Sequence, residues 1–376
     1  MPFLIFAVIL LVLISAQSIL YRKRALKNVS ADVTFSTPVA ACGDTITITE
    51  TIINQKALPL PWITLKFEAS RELLFLDMTN TKVSDHYYRE DLMSLSGWQQ
   101  HNRHILVLCR KRGYYRFKRL SISTRDLLLL SLIVNDFPCD STLTVTPKVL
   151  QAPDMEILFQ LFLGDEENRR SPVSDPFTFA GIREYQPWDT FKSINWNATA
   201  KKNEIMVNVN HHTYNRKISF ILNVLPYTLS RNDSLPEKCI SLAMTWVSRA
   251  VSGSTPVKLT SNSRDILTEA PIDTDYGCSD DHLNRIGMDL ARIDLTKRAH
   301  PFIACVENAI DKQSDNTTYV IISANTDSSL QNFLIQKYRS GIRLTWVVPY
   351  DNMNRLPALD PMAKPFAIPL EVSYNA

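Results

Sequence analysis

The sequence predicts a membrane-anchored chain of several domains, α and β in class. An N-terminal transmembrane helix comes first, then an antiparallel β-sandwich-like domain, then an α/β domain with a mostly parallel sheet. Three observations predict this. Residues Phe3 to Leu20 carry no charge and run into a basic cluster. Short segments of period-two alternation, punctuated by Pro and Gly, fill the stretch to about residue 150. Beyond residue 215, apolar strand-like runs alternate with segments of helical period.

The anchor rests on length and charge. At about 1.5 Å per residue, Phe3–Leu20 spans roughly 27 Å, just enough for a bilayer core. Tyr21 follows as an interfacial aromatic, then Arg22, Lys23, Arg24 and Lys27. A cleaved signal peptide is the competing reading, but such peptides place their positive charge before the apolar stretch. Here all of it comes after. The positive-inside rule then leaves the soluble region in the cytoplasm and the chain single-pass in the cell membrane.

Thr45–Thr49 alternates polar and apolar after the turn signal Gly43–Asp44, and Trp62–Phe67 alternates again after Pro59 and Pro61. Ile105–Leu108, Leu120–Thr124 and Leu143–Thr146 continue the pattern as an antiparallel sandwich. Between them, Arg110, Lys111, Arg112, Arg116, Lys118 and Arg119 interleave with Tyr114 and Tyr115. The preferred reading is a hairpin with a solvated basic face and inward tyrosines. The net charge of only +3 gives no case for nucleic-acid binding.

The densest unusual segment runs from Phe179 to Lys201. Arg183, Asp189, Lys192 and Lys201 suggest a charge network around Trp188 and Trp196. Here the chain resembles the bacterial domain-of-unknown-function-58 family, whose motif is roughly R-x-Y-x-x-G-D-x-x-R-x-I-x-W-x-x-[ST]-A-[RK]. Arg183, Tyr185, Asp189, Ile194, Trp196, Thr199, Ala200 and Lys201 match it, while Trp188 replaces a Gly and Lys192 an Arg. Upstream, Arg112-Gly113-Tyr114-Tyr115 and Arg125-Asp126 resemble the family's R-G-x-Y and R-D-P-F-G-L segments, with Leu127 and Leu128 in place of Pro-Phe. Two readings of the motif stand: a docking surface, or a structural corner held by ion pairs and two buried tryptophans.

The C-terminal region alternates. Strands are expected at Lys217–Val224, Val257–Thr260, Tyr319–Ser323 and, as the last, Ile342–Val348. Helices are expected at Leu235–Ser252, at His282–Leu295 (with Leu283, Ile286, Leu290 and Ile293 on one face) and at Leu330–Arg339, stopped by Gly341. The resemblance implies a von Willebrand factor A-like domain. Such domains hold a divalent cation on D-x-S-x-S after the first strand. Asn223, Leu225 and Tyr227 stand at those positions, and Asp327 is the one remnant carboxylate, so no metal is expected. The resulting domains are 1–28 (anchor and basic flank), 29–150 (immunoglobulin-like sandwich), 151–214 (motif segment) and 215–376 (von Willebrand factor A-like).

Composition narrows the function. Gly is scarce, at 9 residues, and neither GxxxxGK[ST] nor GxGxxG occurs. The six cysteines are scattered without CxxC spacing, which fits reduced thiols and no zinc site. GxSxG and HExxH are absent, leaving His211–His212 as the best catalytic candidate. The expectation is therefore a non-enzymatic, membrane-anchored interaction or scaffold protein without cofactor. The resemblance implies a role accessory to a MoxR-type AAA+ ATPase. An exported adhesin-like protein and a hydrolase are the alternatives. Family members often carry two adjacent membrane helices; this chain shows one.

Overall fold

A computed structural model describes residues 2–77, 81–83, 87–126, 128–150, 174–187, 189–212, 217–224, 234–297, 299–310, 316–351, 359–363 and 365–370. Helix α1 (Pro2–Arg24) carries the uncharged stretch, and the segment Ile5–Arg24 is long and apolar enough to cross a membrane. Arg22, Lys23 and Arg24 fill its last turn, where positive charge suits the exposed carbonyls. The helix projects free of the rest of the chain until its base. There the Ser18 hydroxyl donates to Asp126, and the Tyr21 hydroxyl donates to the Pro59 carbonyl. Tyr21 and Ala25 are buried in the core of the next domain.

That domain is a β-sandwich of β1 (Val29–Phe35), β2 (Val39–Ala41), β3 (Thr45–Asn54), β4 (Leu60–Ala69), β5 (Leu73–Phe75), β6 (Thr81–Val83), β7 (Tyr87–Leu95), β8 (Gln100–Cys109), β9 (Gly113–Arg125) and β10 (Leu132–Thr146). One sheet runs β1-β3-β8-β5 and the other β2-β10-β9-β4-β7-β6; β2 pairs β10 in parallel, and the other pairings of these two sheets among the described residues are antiparallel. The alternation in β3 puts Ile46, Ile48, Ile52 and Asn54 inward and the threonines outward. Facing side chains of both sheets, among them Leu65, Val107, Leu120 and Ile122, close the core. Phe117 stacks on Phe35 at 4.6 Å and meets Phe67 edge-on at 5.3 Å.

One inward position in β3 is charged. Glu50 lies buried with Arg89 and Asp91 of β7, and Arg103 of β8 reaches in from the rim. The Arg89 Nε donates to Asp91 at 2.6 Å, and its Nη1 donates to the Asp77 carbonyl at 3.0 Å. Two arginines already balance Asp77 and Asp91, so Glu50 is the surplus carboxyl. Burial, then the Asp91 charge, push it up to about 8. The folded protein therefore keeps a proton on Glu50 across a range where the unfolded chain, near 4.5, has lost it. Stability is present in full below about pH 4.5 and declines as pH rises through about 8. Glu50→Gln should flatten that decline in thermal melts at pH 5 to 8 of the detergent-solubilised chain; an unchanged slope would show that Glu50 is ionised in the fold.

After the sandwich comes a hairpin of β11 (Ser174–Glu184) and β12 (Met206–His212), bridged by a 3-10 turn (Phe191–Ser193) and the short helix α2 (Trp196–Lys202). The third part is an α/β layer. Its elements are β13 (Lys217–Leu222), α3 (Ser234–Ser252), β14 (Val257–Asp265), β15 (Pro271–Asp273), α4 (Asp280–Ala291), β16 (Ile293–Asp294), α5 (Phe302–Ile310), β17 (Thr317–Ile322), α6 (Ser328–Arg339), β18 (Leu344–Asp351) and β19 (Pro365–Leu370). The sheet runs β15-β14-β13-β17-β18-β19, parallel throughout except for β15 at the edge, with β16 pairing β14. Trp246 of α3 is fully buried against one face, and Trp346 of β18 lies in the core on the other.

Two expectations are corrected. Helix α4 ends at Ala291, so Ile293 is not on its face. It begins β16, which pairs with Arg264–Asp265, and reaches the same core from a strand. The strand at Leu344–Asp351 is not the last, because β19 follows it in parallel.

The basic turn between β8 and β9 is also not wholly solvated. Arg112 is buried and crosses to the α/β layer. Its Nε donates to Glu237 of α3 at 2.7 Å, and its Nη1 donates to the carbonyls of Leu290, Ala291 and Ile293 at 2.9, 3.1 and 3.2 Å. Leu290 and Ala291 close α4 and Ile293 opens β16, so one guanidinium gathers carbonyls on both sides of the helix end, where positive charge is favoured. Beside it, α4 approaches β10 so closely that a Cβ on Gly287 would sit 3.3 Å from the Thr146 methyl.

Candidate functional site

The motif residues fold into one small unit on the β11–β12 hairpin. Arg183, near the end of β11, forms a two-pronged pair with Asp189, both contacts at 2.6 Å. The Gln186 amide adds a third donor to Asp189 at 2.8 Å. The Arg183 hydrogen bonds, then the Gln186 amide, hold the Asp189 carboxyl below its ordinary value. Tyr185 is held by its amide, which donates to the Ile205 carbonyl, and its ring lies 6.3 Å from that of Phe191.

Asn195 organises the other half. Its side-chain oxygen caps α2 by accepting from the Ala198 amide at 3.0 Å, and its Nδ2 donates to Asn208 of β12 at 2.7 Å. Thr199 accepts from the Met206 amide at 3.0 Å. Asn203 ends the helix in the left-handed conformation that Asn tolerates. Ile194 bridges to Val207, and with Met206 both are buried.

This frame leaves the aromatics outside. Trp196 is 69% exposed and Phe191 is 79% exposed, with Ile182 and Ile205 also uncovered. The expected pair of buried tryptophans is therefore corrected for Trp196: as the first residue of α2 it is held outward by the Asn195 cap. Trp188 lies outside the described residues. Lys192, Ala200 and Lys201 are exposed, and the ion pair is Arg183–Asp189 without the lysines. Phe191 and Ile205 were missed as site residues; a lone aromatic in a loop has no periodicity that separates core from surface.

The second region is the crevice at the carboxyl ends of β13, β14 and β17, where the strand order reverses. Asn223 donates to the Ser323 hydroxyl at 2.9 Å and accepts from Asn262 at 3.1 Å. Asn262 in turn accepts from the Val224 amide at 3.1 Å and donates to the His300 carbonyl at 3.3 Å. Asn223, Asn262 and Ser323 are all buried. The floor of the crevice is thus a neutral amide–hydroxyl network. Asp327 is exposed and bonded to Asn325. Among the described residues no three His, Cys, Asp or Glu side chains are placed to hold a metal. Leu225 and Tyr227 lie outside the described residues.

Asn262 and His300 also line a neighbouring pocket of about 630 Å³ between β14, β15 and α5. In it Lys258 pairs with Asp273 at 2.7 Å, and Thr260 donates to the same carboxylate at 2.8 Å. Burial and then the Asp273 charge push the Cys305 thiol up to about 11, so it stays a neutral thiol near pH 7. All six cysteines are free, with Cys109, Cys139 and Cys239 buried, Cys42 and Cys305 half-buried, and Cys278 exposed. His211 and His212 end β12, and their side chains lie outside the described residues.

No family model and no curated protein matches the chain. Solved structures resembling about a third of it include the CARDB domain of the PF1109 protein from Pyrococcus furiosus, in complex with di-metal ions, at 11% identity over 31% of this chain and 91% of that one, TM-score 0.22. The non-cellulosomal cohesin of the hyperthermophilic archaeon Archaeoglobus fulgidus is similar at 14% identity over 34% and 97%, TM-score 0.22. PapD-like domain 7 of human CEP192 is similar at 14% identity over 31% and 86%, TM-score 0.20. Likenesses this slight carry no functional argument.

Proposed function

We propose that this chain is a membrane-anchored, non-enzymatic interaction protein of the domain-of-unknown-function-58 kind, accessory to a MoxR-type AAA+ ATPase in assembling or remodelling other proteins. The single observation that carries the reading is the exposed aromatic face at Phe191 and Trp196, set on a frame of ordered hydrogen bonds. Exposed aromatics on a pre-formed scaffold are the residue type that dominates protein–protein binding energy. Lys192 and Lys201 rim the face and suit an acidic partner surface.

Two further features support the reading. Counted as β13, β14, β15, β17, β18 and β19, the strand order of the α/β layer is 3-2-1-4-5-6 with the third strand antiparallel. That plan supports the von Willebrand factor A-like domain that the resemblance implies, in which the amide network would lie where a cation is expected. Arg22, Lys23, Arg24 and Lys27 at the helix base favour a cytoplasmic soluble region.

The test is affinity capture of the full chain from detergent-solubilised membranes with a non-hydrolysable ATP analogue. A AAA+ ATPase should be recovered, and Trp196→Ala with Phe191→Ala should lower recovery by about tenfold or more, as loss of hot-spot aromatics does. Absence of any AAA+ ATPase, or equal recovery by the double variant, overturns the reading.

A further inference from the structure

The end of the sandwich at which α1 enters holds the loops β3–β4, β7–β8 and β9–β10, as the pairings Val29↔Asn54, Ile53↔Gln100 and Leu132↔Arg125 require. That end is unusually apolar. The β9–β10 connection exposes Leu128, Leu129 and Leu130, with Leu130 67% exposed, and Leu132 follows. Trp62 beside this connection and Trp98 in the β7–β8 turn, 73% exposed, face outward too. Four exposed leucines within five residues are a liability for a loop in water.

The loop is built to keep them there. Asp126 Oδ1 accepts from the amides of Leu130 at 2.6 Å and Ser131 at 3.2 Å, and its backbone carbonyl accepts from Leu129 at 2.9 Å. Leu129 sits at φ 60, a conformation that glycine adopts freely and leucine adopts at a cost. The polar backbone of the turn is thus turned inward onto one carboxylate while the leucines point out. The Asp126 Oδ2 takes the Ser18 hydroxyl, and Ser18 and Ser131 lie 3.3 Å apart, so the turn is fastened to α1.

Its height on the helix decides where it lies. Ser18 falls inside the uncharged stretch, four residues before Arg22, or about 6 Å along the axis. If the turn stood in water, the span would shrink to Phe3–Gln17, about 22 Å, well short of the roughly 30 Å hydrocarbon core. With Ser18 below the surface the span regains its length, and the turn goes down with it.

We infer that the β9–β10 turn, with Leu128, Leu129, Leu130 and Leu132, is a second membrane-contacting element that inserts into the bilayer interface beside α1 and fixes the tilt of the soluble region. This rests on the reading of α1 as membrane-spanning. Burial to the headgroup–acyl boundary, about 5–10 Å, suits a turn whose own amides are satisfied, with Trp62 and Trp98 at the level where tryptophan collects.

The test uses the full chain, with Cys42→Ser, Cys278→Ser and Cys305→Ser to remove the accessible thiols, reconstituted in phosphatidylcholine–phosphatidylglycerol vesicles. A fluorophore is placed singly at Leu130→Cys, at Leu10→Cys within α1, or at Glu307→Cys on α5, and is quenched by iodide in water or by doxyl-labelled lipid. The expected result at Leu130→Cys is shielding from iodide, with stronger quenching by doxyl near the headgroup than near the chain end. Leu10→Cys should be lipid-quenched and Glu307→Cys iodide-quenched. Lipid quenching at Leu10→Cys with full iodide access at Leu130→Cys overturns the inference and leaves the anchor standing. Iodide access at both overturns the anchor and the inference with it.

Discussion

Replacing Arg89 with alanine is expected to destabilise the sandwich by about 3–5 kcal/mol, the usual cost of leaving buried charges without their partner. Total stability of a domain is about 5–15 kcal/mol, so the variant stands at the edge of folding. Arg89 is fully buried, and its guanidinium is shared: Asp91 takes Nε at 2.6 Å, Glu50 lies at 3.7 Å, and the Asp77 carbonyl takes Nη1 at 3.0 Å. It also lies 5.5 Å over the Phe75 ring. Removal takes from Asp91 its buried guanidinium, while Arg103 still reaches it from the rim. The triple variant Arg89→Met, Asp91→Leu, Glu50→Leu should recover most of the loss, because a buried ion cluster seldom outperforms apolar residues of like size. Thermal or denaturant unfolding of the detergent-solubilised chain measures both. Equal destabilisation by the single and triple variants would mean that volume matters at this site and charge does not.

The same cluster shows what the sequence hides. Period-two patterning makes β3 legible, because Thr45–Thr49 alternates and the buried positions follow every second residue. It also assigns Glu50 to the inner face, but nothing local says that Arg89 waits on the opposite sheet. Patterning of the third part is equally readable in β13, α3, β17 and α6, whose apolar stripes are continuous. It fails at β19, where Pro365 and Pro369 read as breaks. An edge strand tolerates proline because one side of its backbone needs no ladder. It fails again at Ile293, whose helical spacing continues past the true helix end and still predicts burial, since strand β16 delivers the side chain to the same core. At the motif, residue identities singled out a segment that folds as one small unit on the β11–β12 hairpin. Whether Trp196 faces core or solvent depends on the Asn195 cap and on the partner strand β12, and no periodicity in so short a helix encodes that.

The arrangement of parts follows from the two ends of the sandwich. α1 enters where β1 begins and β9 ends, while the β8–β9 turn at the far end carries Arg112 to α3 and α4. Anchor, sandwich and α/β layer therefore stack in series. The sandwich thus separates the α/β layer from the helix.

Arg112→Ala should uncouple that stack, with a cost of about 3 kcal/mol, the scale for breaking a buried charge pair. The residue spans sequence separations of 125 to 181 positions through hydrogen bonds to Glu237, Leu290, Ala291 and Ile293. Its loss strips Glu237 of its main partner, leaving Lys111 at 3.4 Å, and takes a donor from two carbonyls at the end of α4 and one in β16. Arg112→Lys should rescue only in part: one ammonium meets Glu237 but cannot fork to the carbonyls as a planar guanidinium does. Adding Glu237→Leu to Arg112→Ala should also recover only part, since it removes the stranded charge and does not return that donor to the carbonyls. Differential scanning calorimetry of the solubilised chain separates a uniform loss from uncoupling. Coupled domains melt in one transition, and the variant is expected to show two, with the sandwich and the α/β layer unfolding apart. A single transition at an unchanged midpoint would mean that the close packing of Gly287 on Thr146 suffices to join them and that Arg112 is dispensable.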